Sequence, residues 1–300
     1  MSYTKINLGM NKKLINILLL IFLISCSNQE EINKSKLSGH DYRLFIDTPA
    51  WSLAKAVNSE DTSKIKREVL ENKINPDYQE SIYGNTLLMM SIYNNDYLST
   101  KTLLALGANP NLRDFHRGSN GVIDAAKSSD SRYLKLILEN GGNPNVVENK
   151  RVLNDDTPLQ TALSSAISYS DPNSFYKIEL LIQSGADLNF PEEISDSIEI
   201  PIGVAIKRDR MDIALYFLKN GANYRRKMYN MIDGREVYIL EALRQCLFEL
   251  DSHQYDLKME IVAFLKDKGM NYFSEPIPDY IIKEIEKKYP GNLEEYLMRY

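Results

Sequence analysis

Apolar residues recur along this chain in short runs, taken two at a time and separated by polar turns. Leu53, Ala54, Ala56 and Val57 form one run, and Ile65, Val69 and Leu70 the next. Further on come Leu98, Leu103 and Leu104, then Leu134, Leu136, Ile137 and Leu138. Residues three and four apart share a helix face, so each run predicts an amphipathic helix and each pair a helical hairpin. The same short stretch closes each hairpin. It reads Gly107-Ala108-Asn109-Pro110-Asn111, then Gly141-Gly142-Asn143-Pro144-Asn145, then Gly185-Ala186-Asp187-Leu188-Asn189. It returns as Gly221-Ala222-Asn223-Tyr224 and, worn down, as Gly269-Met270-Asn271-Tyr272; a degenerate first copy is Lys73-Ile74-Asn75-Pro76-Asp77. Glycine takes the left-handed conformation that ends a helix without steric cost. Proline cannot continue the helix, and asparagine tolerates turn geometry.

The spacing makes this an internal repeat. From position 73 to Gly107 is 34 residues, and from Gly107 to Gly141 is again 34. Later intervals are 44, 36 and 48, which places insertions in the later units. A second landmark precedes each glycine. It reads Gly84-Asn85-Thr86-Leu87-Leu88 in one unit and Thr157-Pro158-Leu159-Gln160-Thr161-Ala162 in another, with Thr86 and Thr157 expected to cap a helix that the next residue starts. Five in-phase copies of Gly-x-Asn/Asp, with these Thr landmarks, resemble the ankyrin repeat over residues 51–273. The resemblance implies an all-α solenoid of helix–turn–helix units joined by finger loops. Departures include Gln160 in place of the family histidine, Asn120-Gly121-Val122-Ile123 in place of Thr-Pro-Leu-His, and eroded first and last units.

The expected organisation is a domain of about six repeats over 48–275, followed by capping helices over 276–300. The seven extra residues of the fourth unit fall near Ser164–Ser174 and predict about one added turn on each helix. A larger insertion sits near Leu247–Tyr255, and a long acidic finger runs from Phe190 to Glu199. Pro276-Ile277-Pro278 ends the repeats, and Ile281, Ile282 and Ile285 mark an amphipathic helix that covers the open end of the stack.

The beginning of the chain has a different pattern. Lys12 and Lys13 precede an apolar run from Leu14 to Ile24, too short to span about 30 Å of hydrocarbon and suited to a signal peptide over 1–25. Met10 offers an alternative start. Leu23-Ile24-Ser25-Cys26 resembles the bacterial lipobox, which implies that Cys26 carries the lipid and that the protein is anchored in the cell envelope. That places it on the periplasmic side of the outer membrane, or on the cell surface if Glu30-Glu31 acts as an export signal. Residues 26–47 read as the lipidated cysteine and a flexible tether. Removing 1–25, with Lys5, Lys12 and Lys13 and no acid, takes the net charge from −5 to −8. With Cys26 acylated, Cys246 is the sole thiol, so no intramolecular disulfide holds the fold.

Composition then narrows the chemistry. A sequence pI near 5.4 provides no net attraction to phosphate, which argues against nucleic acid. The three histidines, His40, His116 and His253, lack metal-pair spacing, and no nucleophile elbow or phosphate loop occurs. Cys246 sits in an apolar run and reads as a buried, inert thiol. The expectation is a non-enzymatic monomer with no cofactor.

By the ankyrin resemblance, fingers and inner-helix ends line a concave binding face. Mapped onto this chain, its candidate residues are Tyr83, Tyr93, Asn94, His116, Arg117, Lys127, Lys207, Arg208, Arg225, Arg226 and Arg244. Tyrosine and arginine are common interface anchors, which points to a protein partner. Positive charge gathers at Lys207, Arg208, Arg210, Arg225, Arg226, Lys227 and Arg244. It either meets an acidic patch on the partner or is answered internally by Asp209 and the acidic finger. The functional expectation is an interaction module of the envelope. Its alternatives are an immunity protein against a secreted antibacterial toxin and an enzyme or stress-protection factor.

Overall fold

The computed structural model describes residues 32–149, 157–168, 170–191 and 198–300. Cys26, the apolar run before it and most of the acidic finger lie outside these residues. Two compact units are distinguished, Met1–Leu37 and Ser38–Tyr300. The described part of the first contains one 3₁₀ turn, Lys34–Lys36.

The second unit is built from helix pairs. They are α1 (Trp51–Asn58) with α2 (Thr62–Leu70), α3 (Leu87–Tyr93) with α4 (Tyr97–Ala105), and α5 (Gly121–Lys127) with α6 (Ser131–Glu139). Then come α7 (Ala162–Ala166) with α8 (Ser174–Gln183), α9 (Pro201–Lys207) with α10 (Met211–Lys219), and α11 (Ile239–Arg244) with α12 (His253–Asp267). The first members pack in one row, α1 to α11, and α2, α4, α6 and α8 stack in a second row. The row of first helices is the more deeply buried, because each is sandwiched between neighbours and its own partner. Residues 201–206 of α9 are all buried. This is the all-α solenoid that the repeat period predicts.

The closing glycines have the expected backbone. Gly107, Gly141, Gly185 and Gly221 have φ of 88°, 83°, 92° and 92°. A Cβ there would meet nothing within 4 Å, so glycine is needed for its conformation and not for space. The Asn that follows four residues later stitches the turns together. Asn111 donates to Gly141 O and accepts from Asn143 N; Asn145 does the same with Gly185 O and Asp187 N, and Asn189 with Gly221 O and Asn223 N. In the fifth unit this position holds Arg225, and the ladder stops.

Several expectations need correction. Thr157 does not cap a helix. The cap is Thr161, which accepts from Ser164 N and starts α7 at Ala162. Leu159-Gln160 instead forms strand β1, paired in parallel with β2 (Ile198–Glu199) from the next finger. The extra residues of the fourth unit also do not lengthen both helices, because α7 has only 5 residues. They form the loop before α8, where Pro172 lacks an N–H and Asn173 is the N-cap residue. The flexible tether does not reach residue 47. Tyr42–Phe45 form a 3₁₀ turn with Tyr42, Leu44 and Phe45 buried, and it packs on α1. Leu98, in one run with the buried Leu103 and Leu104, does not share their inward face and is 53% exposed. On α2 the buried positions are Ile65 and Glu68, whose carboxylate takes hydrogen bonds from Ser52 and Asn72.

At the far end, α13 (Asp279–Lys288) and α14 (Leu293–Arg299) bury Ile281, Ile285, Tyr296 and Tyr300 in a small core of their own. Leu247 and Leu250 pack against it. The insertion after α11 is therefore the seat of the terminal helices.

Candidate functional site

The finger loops are held from beneath by a series of buried acids. Glu80, Asp114 and Glu148 are each 34 residues apart, and all three are buried. Glu80 accepts from the backbone N–H groups of Ile82, Tyr83 and Asn85. Asp114 accepts from His116, Arg117 and Gly118 in the same way. A carboxylate ringed by three N–H donors is well compensated for its loss of water. In the third finger an insertion intervenes, and Glu148 accepts instead from Gln160 N, Arg117 and Lys127. The fingers are also tied to each other: Gln79 donates to Arg113 O, and Arg113 to Val147 O, again at 34-residue steps. These acids escaped the reading of candidate residues. Their in-phase position, seven residues after Gly107 and Gly141, was the available signal.

The candidate residues fall into two groups. Tyr83, Tyr93, His116, Arg117 and Lys127 line one pocket of about 390 Å³, together with His40, Met89 and Asp124. Asn94 lines a neighbouring cleft of about 550 Å³ with Trp51, Lys55 and Tyr42. The segment before the first repeat forms part of both. Asn85 donates to Gly39 O, Asn94 to His40 O, and Tyr42 Oη to Asp96 at 2.6 Å. The His40 ring stacks on Tyr93 with centroids 3.2 Å apart, and Tyr83 meets His116 edge-on at 6.3 Å. Burial holds the His40 imidazole below its ordinary pKa. Arg117 bonds Glu148 through Nε and Nη2 and reaches Thr157 and Pro158, while Lys127 pairs with Glu148 at 2.9 Å. Opposing donors hold Glu148 below the usual carboxylate range against the cost of its burial.

The second group does not form an open basic docking end. Lys207 pairs with Glu199 at 2.9 Å, Arg208 donates to Ile167 O, and Arg210 pairs with Asp212 at 2.7 Å. Arg226 donates to Asn189 O and Pro191 O, and Lys227 pairs with Glu236. Arg244, expected on the binding face, is buried. Its guanidinium lies 3.9 Å from the Tyr272 ring centroid and donates to Tyr272 O and Glu275 O. Two of this group are exposed: Lys207, although paired with Glu199, and Arg225, which lies over Tyr224 in a cleft with Glu241 and Glu275. Among the described residues, Glu199, Asp212, Glu236 and carbonyls at loop and helix ends take up much of the basic cluster.

Among the described residues no group of histidine, cysteine and carboxylate side chains is placed to hold a metal ion. No described helix is long and apolar enough to cross a membrane. Cys246 is buried, and burial pushes its thiol up to about 12, which leaves it protonated and unreactive.

Stacked helix hairpins with left-handed glycine closures and inter-repeat fingers are the arrangement that the ankyrin resemblance implies. The ankyrin repeat family model matches residues 83–115, which span the finger of the second unit through that of the third. Among curated proteins the chain is similar to Protein PhlB of Serratia liquefaciens, with 24% identity over 191 residues, 64% of this chain and 77% of that protein. Among solved structures it is similar to the ankyrin repeat protein EF0377, at 20% identity and TM-score 0.44, covering 72% of this chain and 96% of that one. It is also similar to the human ASB11 ankyrin repeat domain, at 16% identity and TM-score 0.48, covering 73% and 84%.

Proposed function

We propose that this protein is a lipid-anchored docking module of the bacterial cell envelope, held through Cys26, that captures a protein partner along its finger face. One observation carries the docking: Glu80, Asp114 and Glu148, buried at successive finger bases, each hold a loop in a set geometry. Core packing does not require such loops to be rigid. Rigid loops lower the entropic cost of binding, which favours recognition. The pocketed end, with Tyr83, Tyr93 and His116, supplies the aromatic anchors; the far basic end offers Arg225 and the paired Lys207.

A photo-crosslinker at position 93 is expected to capture one defined envelope protein from the native membrane. The same crosslinker at Lys135, exposed on α6, is expected to capture none. Equal capture from both positions would remove the finger face as the docking site. The anchor is checked separately. Labelled fatty acid should enter the wild-type chain and not Cys26→Ser, and equal labelling of both would exclude lipidation at this cysteine.

A further inference from the structure

The helix α5 carries a carboxylate where every other inner helix avoids one. Asp124 lies four residues after the N-cap Asn120. The positions four residues after the caps Thr86, Thr161, Ile200 and Tyr238 are Met90, Ser165, Val204 and Ala242, and all four are buried. In those repeats a small or apolar side chain completes the inner row. An acid at this point costs desolvation energy that a methionine or valine does not. Packing therefore does not account for it.

Nor does an internal partner. Among the described residues the only group hydrogen-bonded to the Asp124 carboxylate is the Ser119 hydroxyl, at 3.2 Å. Lys127, on the same helix, is close enough to act on it electrostatically but has its ammonium on Glu148. Arg117, on the second finger, has its guanidinium on Glu148 as well. Asp114 and Glu148 face Asp124 as like charges from the second and third fingers. Burial, reinforced by those two acids and opposed by Lys127 and Ser119, pushes the Asp124 carboxyl up to about 7. A cation placed beside this acid would favour its ionised form.

Asp124 also lines the 390 Å³ pocket, a volume suited to a side chain or small ligand. The charged lining is three carboxylates, Asp114, Asp124 and Glu148, against the two cations Arg117 and Lys127, one net negative charge when Asp124 is ionised. Around it stand the stacked His40–Tyr93 pair and the Tyr83–His116 pair. Aromatic faces attract cations, and the half-buried Asp124 carboxylate beside them sets the sign of the guest.

We propose that this pocket receives a basic side chain of the docked protein, with Asp124 as its counter-ion and the Tyr93, His40 and Tyr83 rings around its stem. The proposal takes the source of the cation from the docking reading above. The site itself is tested with no partner present. Because the strap at Gly39 and His40 completes the pocket, the segment before the first repeat is part of the recognition surface. The carboxylate must be ionised for this, so binding strengthens as pH rises through about 7.

The test is an NMR titration of the full chain with N-acetyl-arginine methylamide at pH 6 and pH 8. The neutral isostere N-acetyl-citrulline methylamide is the control. Saturable shifts are expected at Ser119 and Lys127, with at least tenfold weaker binding for the citrulline probe and for Asp124→Asn. Binding should also be weaker at pH 6 than at pH 8. Tyr93→Ala, at an exposed ring, should weaken the arginine probe without loss of fold, and it keeps the test open if Asp124→Asn is poorly folded. No saturable shift, equal affinity for the two probes, or unchanged binding in folded Asp124→Asn or in Tyr93→Ala would each overturn the pocket assignment. None of these outcomes bears on whether the finger face crosslinks to a partner, so the two readings stand or fall apart.

Discussion

Replacing Tyr300 with alanine is expected to lower stability by about 3–5 kcal/mol, the range for truncating a fully buried large aromatic side chain. Tyr300 is completely buried against Ile281, Ile285 and Tyr296. Its hydroxyl donates to Arg244 O and to Cys246 O. Its ring lies 3.7 Å from the Lys258 ammonium, which is itself buried and donates to Cys246 O at 3.1 Å. Lys258 has no carboxylate partner among the described residues, and burial lowers its pKa to about 7. The Tyr300 ring is therefore both a hydrophobic plug and part of the little that solvates that cation. Losing it opens a cavity over two buried basic groups, Lys258 and Arg244. Urea unfolding followed by far-UV circular dichroism measures the effect. A loss below about 1 kcal/mol would mean that the terminal helices are peripheral and that the sixth repeat is stable without them. Tyr300→Phe isolates the hydroxyl, and a smaller loss of about 1–3 kcal/mol is expected for its buried hydrogen bonds.

The second large effect is at the junction of the third and fourth repeats. Lys177 on α8 is 1% exposed and reaches back to donate to Ala126 O at 2.7 Å and Ser128 O at 2.9 Å. It pairs with Asp171, 9% exposed, at 2.7 Å. One ammonium thus fastens the loop before α8 to the C-terminal end of α5. Lys177→Ala is expected to cost about 3–5 kcal/mol, because it leaves a carboxylate and two carbonyls buried without their donor. Adding Asp171→Asn to Lys177→Ala should recover at least about 1 kcal/mol, since the stranded charge is then gone. Thermal unfolding of the two single variants and the double variant supplies the cycle. Additive losses would show that the lysine acts through its packing alone.

Much of the repeat architecture was legible because its determinants are local. A left-handed turn needs glycine at one position, as at Gly107 and Gly185, whatever the rest of the chain does. The buried cysteine was equally readable, because Cys246 stands in an apolar run. Thr157 misled for a reason of the same kind. Thr-Pro is a good local helix start, but Leu159 and Gln160 are drawn into a strand pair with Ile198 and Glu199, some forty residues away. A competing backbone partner at that distance leaves no mark in a window of six residues. The fourth-unit insertion misled likewise: its extra length was visible, but its conformation depends on Lys177 drawing Asp171 inward.

The candidate site was legible in outline only. Tyr83, Tyr93, His116, Arg117 and Lys127 were placed on one face by their phase in the repeat, and the structure brings all five to one pocket. Phase says where a side chain starts and not what it bonds to. Arg117 and Lys127 are tied to Glu148, and Arg244 turns inward to Tyr272. The apparent basic patch shrinks because carbonyl oxygens, which every residue carries and no sequence pattern displays, accept from Arg208 and Arg226. By itself the sequence determined the repeat period, the helix terminations and the face on which the fingers lie, because backbone sterics and helical phase act over a few residues. Which charges are open to a partner was decided by the tertiary structure alone, because an ion's worth depends on the donors, acceptors and water that folding leaves around it.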